Sequence, residues 1–321
     1  MTHTTTARLA QTRIIFFGNE RLATGLTTDA PTLRSLIAAG YNVAAVVSHH
    51  TDSQSRNGRN LEIAEIAAEH DIPVLVPERP ADIIEQLRAF DAQIGVLVAY
   101  GKIVPESIIN IFPRGIVNIH PSLLPLHRGP IPIESVILDS SDETGVSIMQ
   151  LVRSMDAGPV YGQSKLPLKH NETKDTLATT LLQAGGNLLL ELLPSILDGS
   201  CQPTIQDDSQ ATYDERITKE DGVLDFSKPA KQLEREVRAY IGWPGSRTSI
   251  GSKDVIITAA HIAEPTSEDG DTAPDGQPGE LWRDGKQFGF YTAEGILVID
   301  KLKPAGKSEM AAQAFLTGYQ L

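Results

Sequence analysis

AQIGVLVAYGKIVPESIINIFPRGIVNIH, residues 92–120, contains the choice of fold. Its first run, Ala92–Ala99, is short, β-branched and apolar at almost every position, and its last, Gly115–His120, is short and carries Ile116, Val117 and Ile119. Between them, Pro105–Ile111 opens on proline and reads as a helix. Strand, helix, strand with a connection of this length is the crossover unit of a parallel sheet. Strands that are apolar on both faces are covered by helices on both sides. The same unit recurs toward the N-terminus. Arg13–Gly18, Asn42–His49 and Ile72–Pro77 read as strands, with helices at Pro31–Ala39, Leu61–His70 and Ala81–Phe90. Toward the C-terminus, Ser147–Arg153 and Val160–Leu168 read as two more strands around a turn at Asp156-Ala157-Gly158-Pro159. Asp175–Leu197 follows as a long leucine-rich helix ended by Gly199. The pattern predicts an α/β domain built on a Rossmann-like parallel sheet.

A length of 321 residues fits two domains. The boundary is expected at Gln202–Ala211 (QPTIQDDSQA), which is polar and without period, giving domains over 1–201 and 212–321 joined by a linker over 202–211. The second domain offers a helix at Pro229–Tyr240 and short strands at Thr248–Ile250, Val255–His261, Phe288–Thr292 and Ile296–Lys301. Glycines separate these strands, as in a small OB-like β-barrel. Glu264–Pro278, acidic and rich in Pro and Gly, reads as a long mobile loop within it.

Composition narrows the function. Hydrophobic residues make up 40% and charged residues 21%, a globular balance, and the net charge is −13. Such acidity argues against non-specific coating of nucleic acid, while leaving room for a local basic patch. Cys201 is the single cysteine, so neither an intramolecular disulfide nor a cysteine-built zinc site is expected. His127 and the His49-His50 pair lack a third ligand at suitable spacing, so no metal is expected. No apolar run approaches the ~20 residues of a membrane span, and the polar N-terminus does not resemble a signal peptide. The expectation is a cytoplasmic protein acting as a monomer, away from membranes.

In an open parallel sheet, ligands sit beyond the carboxyl ends of the strands. The first such turn, Gly18-Asn19-Glu20-Arg21-Leu22-Ala23-Thr24-Gly25, lacks the G-x-G-x-x-G spacing that brings backbone against a pyrophosphate, and Glu20 would repel one. The fifth strand is more informative. Asn118 and His120 lie two residues apart, so they share a face, and they emerge at the strand's end. An amide donor beside an imidazole can bind a carbonyl oxygen as it gains negative charge. Asp156, in the next strand-end turn, is the carboxylate that could orient the imidazole or take a proton. Together the three suggest acyl transfer without a protein nucleophile. A structural asparagine, a core histidine and a turn-forming aspartate would give the same pattern.

Beyond these three residues, Asn118-Ile119-His120-Pro121-Ser122-Leu123-Leu124-Pro125, Arg128-Gly129, Glu143-Thr144-Gly145-Val146 and Met155-Asp156-x-Gly158 resemble the 10-formyltetrahydrofolate-dependent formyltransferase family. Thr218–Phe226, Trp243-Pro244-Gly245, Pro278-Gly279-Glu280, Leu302-x-Pro304-Ala305-Gly306-Lys307 and Met310–Tyr319 resemble the branch that acts on methionyl-initiator tRNA. The resemblance spans Arg13 to Tyr319. It implies formyl transfer from 10-formyltetrahydrofolate to the amine of the tRNA-borne methionine, with Asn118, His120 and Asp156 as the catalytic residues. It also implies a folate-contacting loop at Ser122, Leu123, Leu124 and Pro125, with leucines beside the pterin, and backbone contacts from Tyr100 and Gly101. Two loops depart from the family pattern: Gly18-Asn19-Glu20, where G-T-P is usual, and Ser53–Leu61, which is shorter but keeps Arg56 and Arg59.

For tRNA, Arg56 and Arg59 are expected contacts in the first domain. Lys231, Arg235 and Arg238 repeat at spacings of four and three on one side of a helix, a stripe suited to phosphates. Glu234 and Glu236 on the same helix would instead make it a solvated face. Two competing functions remain. A sugar N-formyltransferase would have no need of the terminal barrel, and a non-catalytic RNA-binding protein would have no need of the Asn118, His120 and Asp156 set.

Overall fold

Five apolar runs do form parallel strands: β1 (Arg13–Gly18), β2 (Asn42–Val47), β3 (Val74–Leu75), β4 (Ile94–Val98) and β5 (Ile116–His120). The computed structural model describes residues 11–18, 29–48, 62–264 and 276–319. Two antiparallel strands, β6 (Glu143–Gln150) and β7 (Val160–Pro167), complete a seven-stranded sheet of order β3-β2-β1-β4-β5-β6-β7. β6 pairs antiparallel with β5, and β7 antiparallel with β6. A turn joins the two strands directly, so no crossover is needed.

Helices α1 (Pro31–Ala38), α2 (Glu62–Glu69), α3 (Ile84–Ala89) and α4 (Glu106–Ile109) lie between the parallel strands. A 3-10 turn over Pro80–Ile83 precedes α3, so the single helix expected at 81–90 is split. Alternation along the strands divides the core in two. Ile14, Phe16, Val96, Val117 and Ile119 pack on one side with Leu33 and Leu36 of α1. Ile15, Phe17, Leu97 and Ile116 pack on the other with Leu87, Ile108 and Phe112. Two more helices follow, α5 (Pro132–Leu138) and α6 (Lys174–Asp198). At 25 residues, α6 is long and apolar enough to cross a bilayer by length and composition, against the expectation that no run approaches that length. Here Leu182, Leu189, Leu193 and Ile196 lie in the core beside Val117 and Ile119.

The chain divides into two compact units. One comprises Met1–Pro132, Glu143–Pro167 and Leu177–Glu215, the other Ile133–Asp142, Leu168–Thr176 and Arg216–Leu321. Residues 202–211, expected as a linker, belong to the first. Val160 and Thr204 exchange backbone hydrogen bonds of 2.8 Å, and the segment continues to Thr212 and Asp214, which bond both sides of the Arg128 backbone. A polar composition made this stretch look unattached, but its attachment is through hydrogen bonds rather than apolar burial.

In the second unit, α7 (Ala230–Ala239) buries Ala230, Leu233 and Val237, one face at helical spacing. They meet an antiparallel sheet of β8 (Ser246–Ile250), β9 (Lys253–Ile262), β10 (Leu281–Asp284), β11 (Gln287–Tyr291) and β12 (Ile296–Pro304), with β13 (Met310–Ala311) paired to β12. The strand order β10-β11-β12-β9-β8 makes a curled half-barrel. A final helix, α8 (Ala312–Gly318), sets Phe315 against Phe288, ring centroids 6.0 Å apart.

Candidate active site

β5 pairs in parallel with β4 and antiparallel with β6, so its carboxyl end lies between neighbours on both sides. Because Val117 and Ile119 point into one core, Asn118 and His120 face the other way. Both are nearly enclosed, at 7% and 4% exposure. The Asn118 carboxamide makes no side-chain hydrogen bond to any described residue, so its donors and acceptor are uncommitted. His120 is committed on one side only. Its Nε2 donates to the His127 carbonyl at 2.9 Å. A carbonyl only accepts, so Nε2 carries hydrogen, and Nδ1 is the ring atom free to gain or lose a proton.

Nδ1 faces Asp156, with Oδ1 at 3.7 Å, close enough for electrostatic coupling but beyond a direct hydrogen bond. The other oxygen, Oδ2, accepts from the Gly129 amide at 2.9 Å, which directs Oδ1 toward the imidazole. Local backbone enforces this. Asp156 has φ 48°, a left-handed conformation that aspartate tolerates. A Cβ on Gly158 would overlap the Gln150 carbonyl, so the turn can pack against β6 only with glycine there. The three residues singled out in the sequence are thus brought to one strand end in the first unit.

The expected folate loop is rigidly held. The Leu124 amide donates to Ser147 Oγ at 3.1 Å, and Ser147 Oγ donates to the Ser122 carbonyl at 2.6 Å. Gln163 Nε2 reaches both the Leu124 carbonyl and Ser147 Oγ, at 2.8 and 2.9 Å. Ser122 and Leu124 are buried, and Leu123 packs over Gly145, where a Cβ would meet its side chain at 2.5 Å. The Leu124 side chain is packed inward, at 5% exposure. Leu126, at 42% exposure, is the leucine that faces outward. Sequence reading missed Ser147 and Gln163. Their signal was a serine inside the apolar run Val146–Met149, paired across the strands with Gln163. Tyr100 is likewise a core side chain, edge-on to Phe17 at 5.8 Å, and burial pushes its phenol up to about 12. Gly101 follows it with φ 76° and is exposed, leaving backbone as what this turn presents.

The expected tRNA contacts fare differently. Arg56 and Arg59 lie outside the described residues, as do the loop after Gly18 and most of 264–278. On α7, Lys231 is exposed. Arg238 already has partners within the second unit. Its Nε and Nη2 are held by Glu234 at 2.6 and 2.9 Å, and its Nη1 donates to the Glu172 carbonyl at 2.8 Å. Arg235 is half-buried with its Nε shielded from solvent. Among the described residues, no group of His, Cys, Asp and Glu side chains could hold a metal.

A polarisable imidazole beside a carboxylate, with an uncommitted amide at the same strand end, is the equipment of an acyl transferase lacking its own nucleophile. The chain belongs to the formyltransferase family: residues 13–193 match the family model described as formyl transferase and residues 216–320 the one described as formyl transferase, C-terminal domain. Among its relatives is the methionyl-tRNA formyltransferase of Herpetosiphon aurantiacus, 37% identical over 310 residues that cover 95% of this chain and 97% of the relative. Two solved structures share the fold. One is HypX of Aquifex aeolicus in complex with tetrahydrofolic acid (TM-score 0.65, 17% identity, 95% of this chain and 46% of that longer one). The other is an N-formyltransferase of Helicobacter canadensis in complex with folinic acid and dTDP-3-aminofucose (TM-score 0.66, 16% identity, 90% and 98%).

Proposed function

We propose that this enzyme transfers the formyl group of 10-formyltetrahydrofolate to the free amine of methionyl-initiator tRNA, forming N-formylmethionyl-tRNA for translation initiation. Similarity to the methionyl-tRNA enzymes runs through both family domains and nearly the whole chain. That breadth favours tRNA over the amino sugar of the Helicobacter enzyme, whose likeness at 16% identity is one of fold.

The observation that carries the mechanism is the half-committed imidazole. The methionyl amine attacks the formyl carbon, and negative charge gathers on the formyl oxygen. Asn118, with an uncommitted amide, and His120, through its ring, supply donors to that oxygen, each worth a few kcal/mol in a site closed to water. Asp156, 3.7 Å from Nδ1, orients the imidazole. As the carbon–N10 bond breaks, the amine gives up a proton and N10 takes one. The His120 and Asp156 pair is the route by which a proton passes between them, leaving the enzyme unchanged. The folate donor is a co-substrate seated along the loop at 121–126 and the Gly101 turn.

We assign catalysis to the first domain and tRNA phosphate contacts to the second, with Lys231 among them and Arg56 and Arg59 adding contacts from the first. The setting is the cytoplasm, and the working unit is a single chain, since Asn118, His120 and Asp156 all come from one domain. The deciding experiment incubates the protein with 10-formyltetrahydrofolate and methionyl-initiator tRNA, with a dTDP-linked amino sugar in parallel. Formylmethionine in the first and no product in the second is expected. Formylation of the sugar alone would overturn the assignment.

A further inference from the structure

We infer that Gln206 is a positioning residue for this reaction: its side chain, anchored by the buried Arg128, sets the height of Asp156 beneath the His120 imidazole. The inference rests on the reading of Asp156 given above, and its basis is a continuous set of bonds within the first unit. Gln206 Nε2 donates to the Asp156 carbonyl at 2.8 Å and to the Gly158 carbonyl at 2.7 Å, so one amide spans the turn that carries Asp156. Its Oε1 accepts from Arg128 Nε at 3.1 Å and Nη2 at 2.9 Å. Carbonyls only accept and a guanidinium only donates, so these four contacts admit a single amide orientation.

Arg128 is itself held from several sides. It heads the fully buried side chains among the described residues, and it also donates to Asp208 at 2.7 Å and to the Tyr213 hydroxyl at 2.8 Å. Burial works against its charge, but these partners more than offset that and hold the guanidinium above its ordinary value. The neighbouring residue closes the frame from the other side. His127 is fixed by its amide donating to Thr212 Oγ1 at 2.7 Å and by its ring pairing with Asp214 at 3.2 Å, and its carbonyl is what holds His120 Nε2. Both members of the 3.7 Å His120 and Asp156 pair are therefore referenced to one strap of chain, residues 206–214. Asp156 has left-handed φ, and the Gln206 contacts are to the carbonyls of the turn itself. The turn's position thus depends on an element outside it.

The test is Gln206→Glu. A carboxylate still pairs with Arg128, so the anchor survives, but it cannot donate and would set negative charge against the Asp156 and Gly158 carbonyls. The turn should lift away from the imidazole. A misplacement of about 1 Å at a reacting group lowers rate on the order of a hundredfold. We expect kcat to fall by about ten- to a hundredfold while the KM for 10-formyltetrahydrofolate and the melting temperature stay near those of the unaltered protein. Gln206→Met, which keeps bulk and removes both sets of bonds, should show the same loss of kcat and serves if the Glu variant does not fold. A double-mutant cycle with Asp156→Asn separates positioning from general damage. If Gln206 acts through Asp156, adding Gln206→Glu to Asp156→Asn costs nothing further, whereas independent losses would multiply. Undiminished kcat in both Gln206 variants, or losses that multiply, would overturn the inference. Full activity in Asp156→Asn alone would instead overturn the reading of Asp156 on which it stands.

Discussion

Replacing Asp156 by asparagine tests the mechanism at its most exposed assumption. The amide is the same shape, and one of its atoms must still accept the Gly129 amide hydrogen bond, 2.9 Å long in the present structure. That requirement assigns the carboxamide oxygen to Gly129 and turns the NH2 toward His120 Nδ1, the 3.7 Å contact. The variant therefore reverses the polarity of the pair. An NH2 dipole in that place opposes a hydrogen on Nδ1, so the ring keeps its hydrogen on Nε2, where the His127 carbonyl already takes it. Neither the donor for the formyl oxygen nor the proton route survives. General acid–base catalysis is worth about 10²- to 10⁴-fold, which at about 1.36 kcal/mol per decade is about 2.7–5.5 kcal/mol of barrier. Folding should suffer far less, by about 1 kcal/mol, because the Gly129 bond loses only its charge assistance. The assay is single-turnover formylation of methionyl-initiator tRNA, paired with tetrahydrofolate binding followed by fluorescence. Undiminished turnover with unchanged folate binding would refute the role, whatever the melting temperature.

Three further outcomes are expected. Lys231→Ala should reduce the salt dependence of tRNA binding, by about 0.7–0.9 in the log–log slope if it contacts one phosphate, whereas Arg238→Ala should leave the slope intact and lower the melting temperature by freeing Glu234 and the Glu172 carbonyl. A chain ended after Glu215 should bind tetrahydrofolate better and melt higher than one ended after Ser209, since the shorter form loses Thr212, Tyr213 and Asp214, which hold His127 and Arg128; equal behaviour would show the strap to be dispensable. Asp221 accepts from the Thr218 amide and hydroxyl, at 2.6 and 2.8 Å, and these bonds hold its carboxyl below the ordinary value of 3.8. A lowered folded value means stability that is present above pH 3.8 and lost as the pH falls through the folded value, so Asp221→Asn should destabilise at neutral pH and the difference should close in acid urea titrations.

The sheet was legible wherever a strand is buried on both faces. Ile14–Phe17 and Ile94–Val98 have no polar residue, and such runs fit only the interior of a two-sided α/β layer. Strand direction was not legible at β6 and β7, because side-chain alternation has the same period in parallel and antiparallel pairs. Helix α5 was missed because Pro130 and Pro132 crowd its start, although proline at the first helical position is compatible with a helix. At the site, Asn118, His120 and Asp156 are singled out by spacing and motif together, and spacing alone leaves a structural reading open. The α7 stripe shows the converse. Periodicity identifies which residues share a face, but says nothing of who already binds them. Glu234, one turn before Arg238, was visible in the sequence as an i, i+4 partner, and the structure uses it as one.

Composition also misread the segment after the long helix. Gln202–Ala211 is polar and without period, and such a run cannot form a core, which is why it passed for a linker. Absence of apolar burial does not imply absence of attachment. Arg128 sits in the loop just after the Asn118–Pro125 motif, and a buried guanidinium brings five donors that must all find acceptors. Gln206, Asp208 and Tyr213 are acceptors supplied within eight residues. The lone arginine of an active-site loop and the polar run eighty residues later answer each other, and neither is interpretable alone. The same exchange explains why the catalytic turn can be so short. Three residues, Asp156 to Gly158, need no scaffold of their own when a glutamine amide spans their carbonyls and the guanidinium holding that glutamine is buried beneath them.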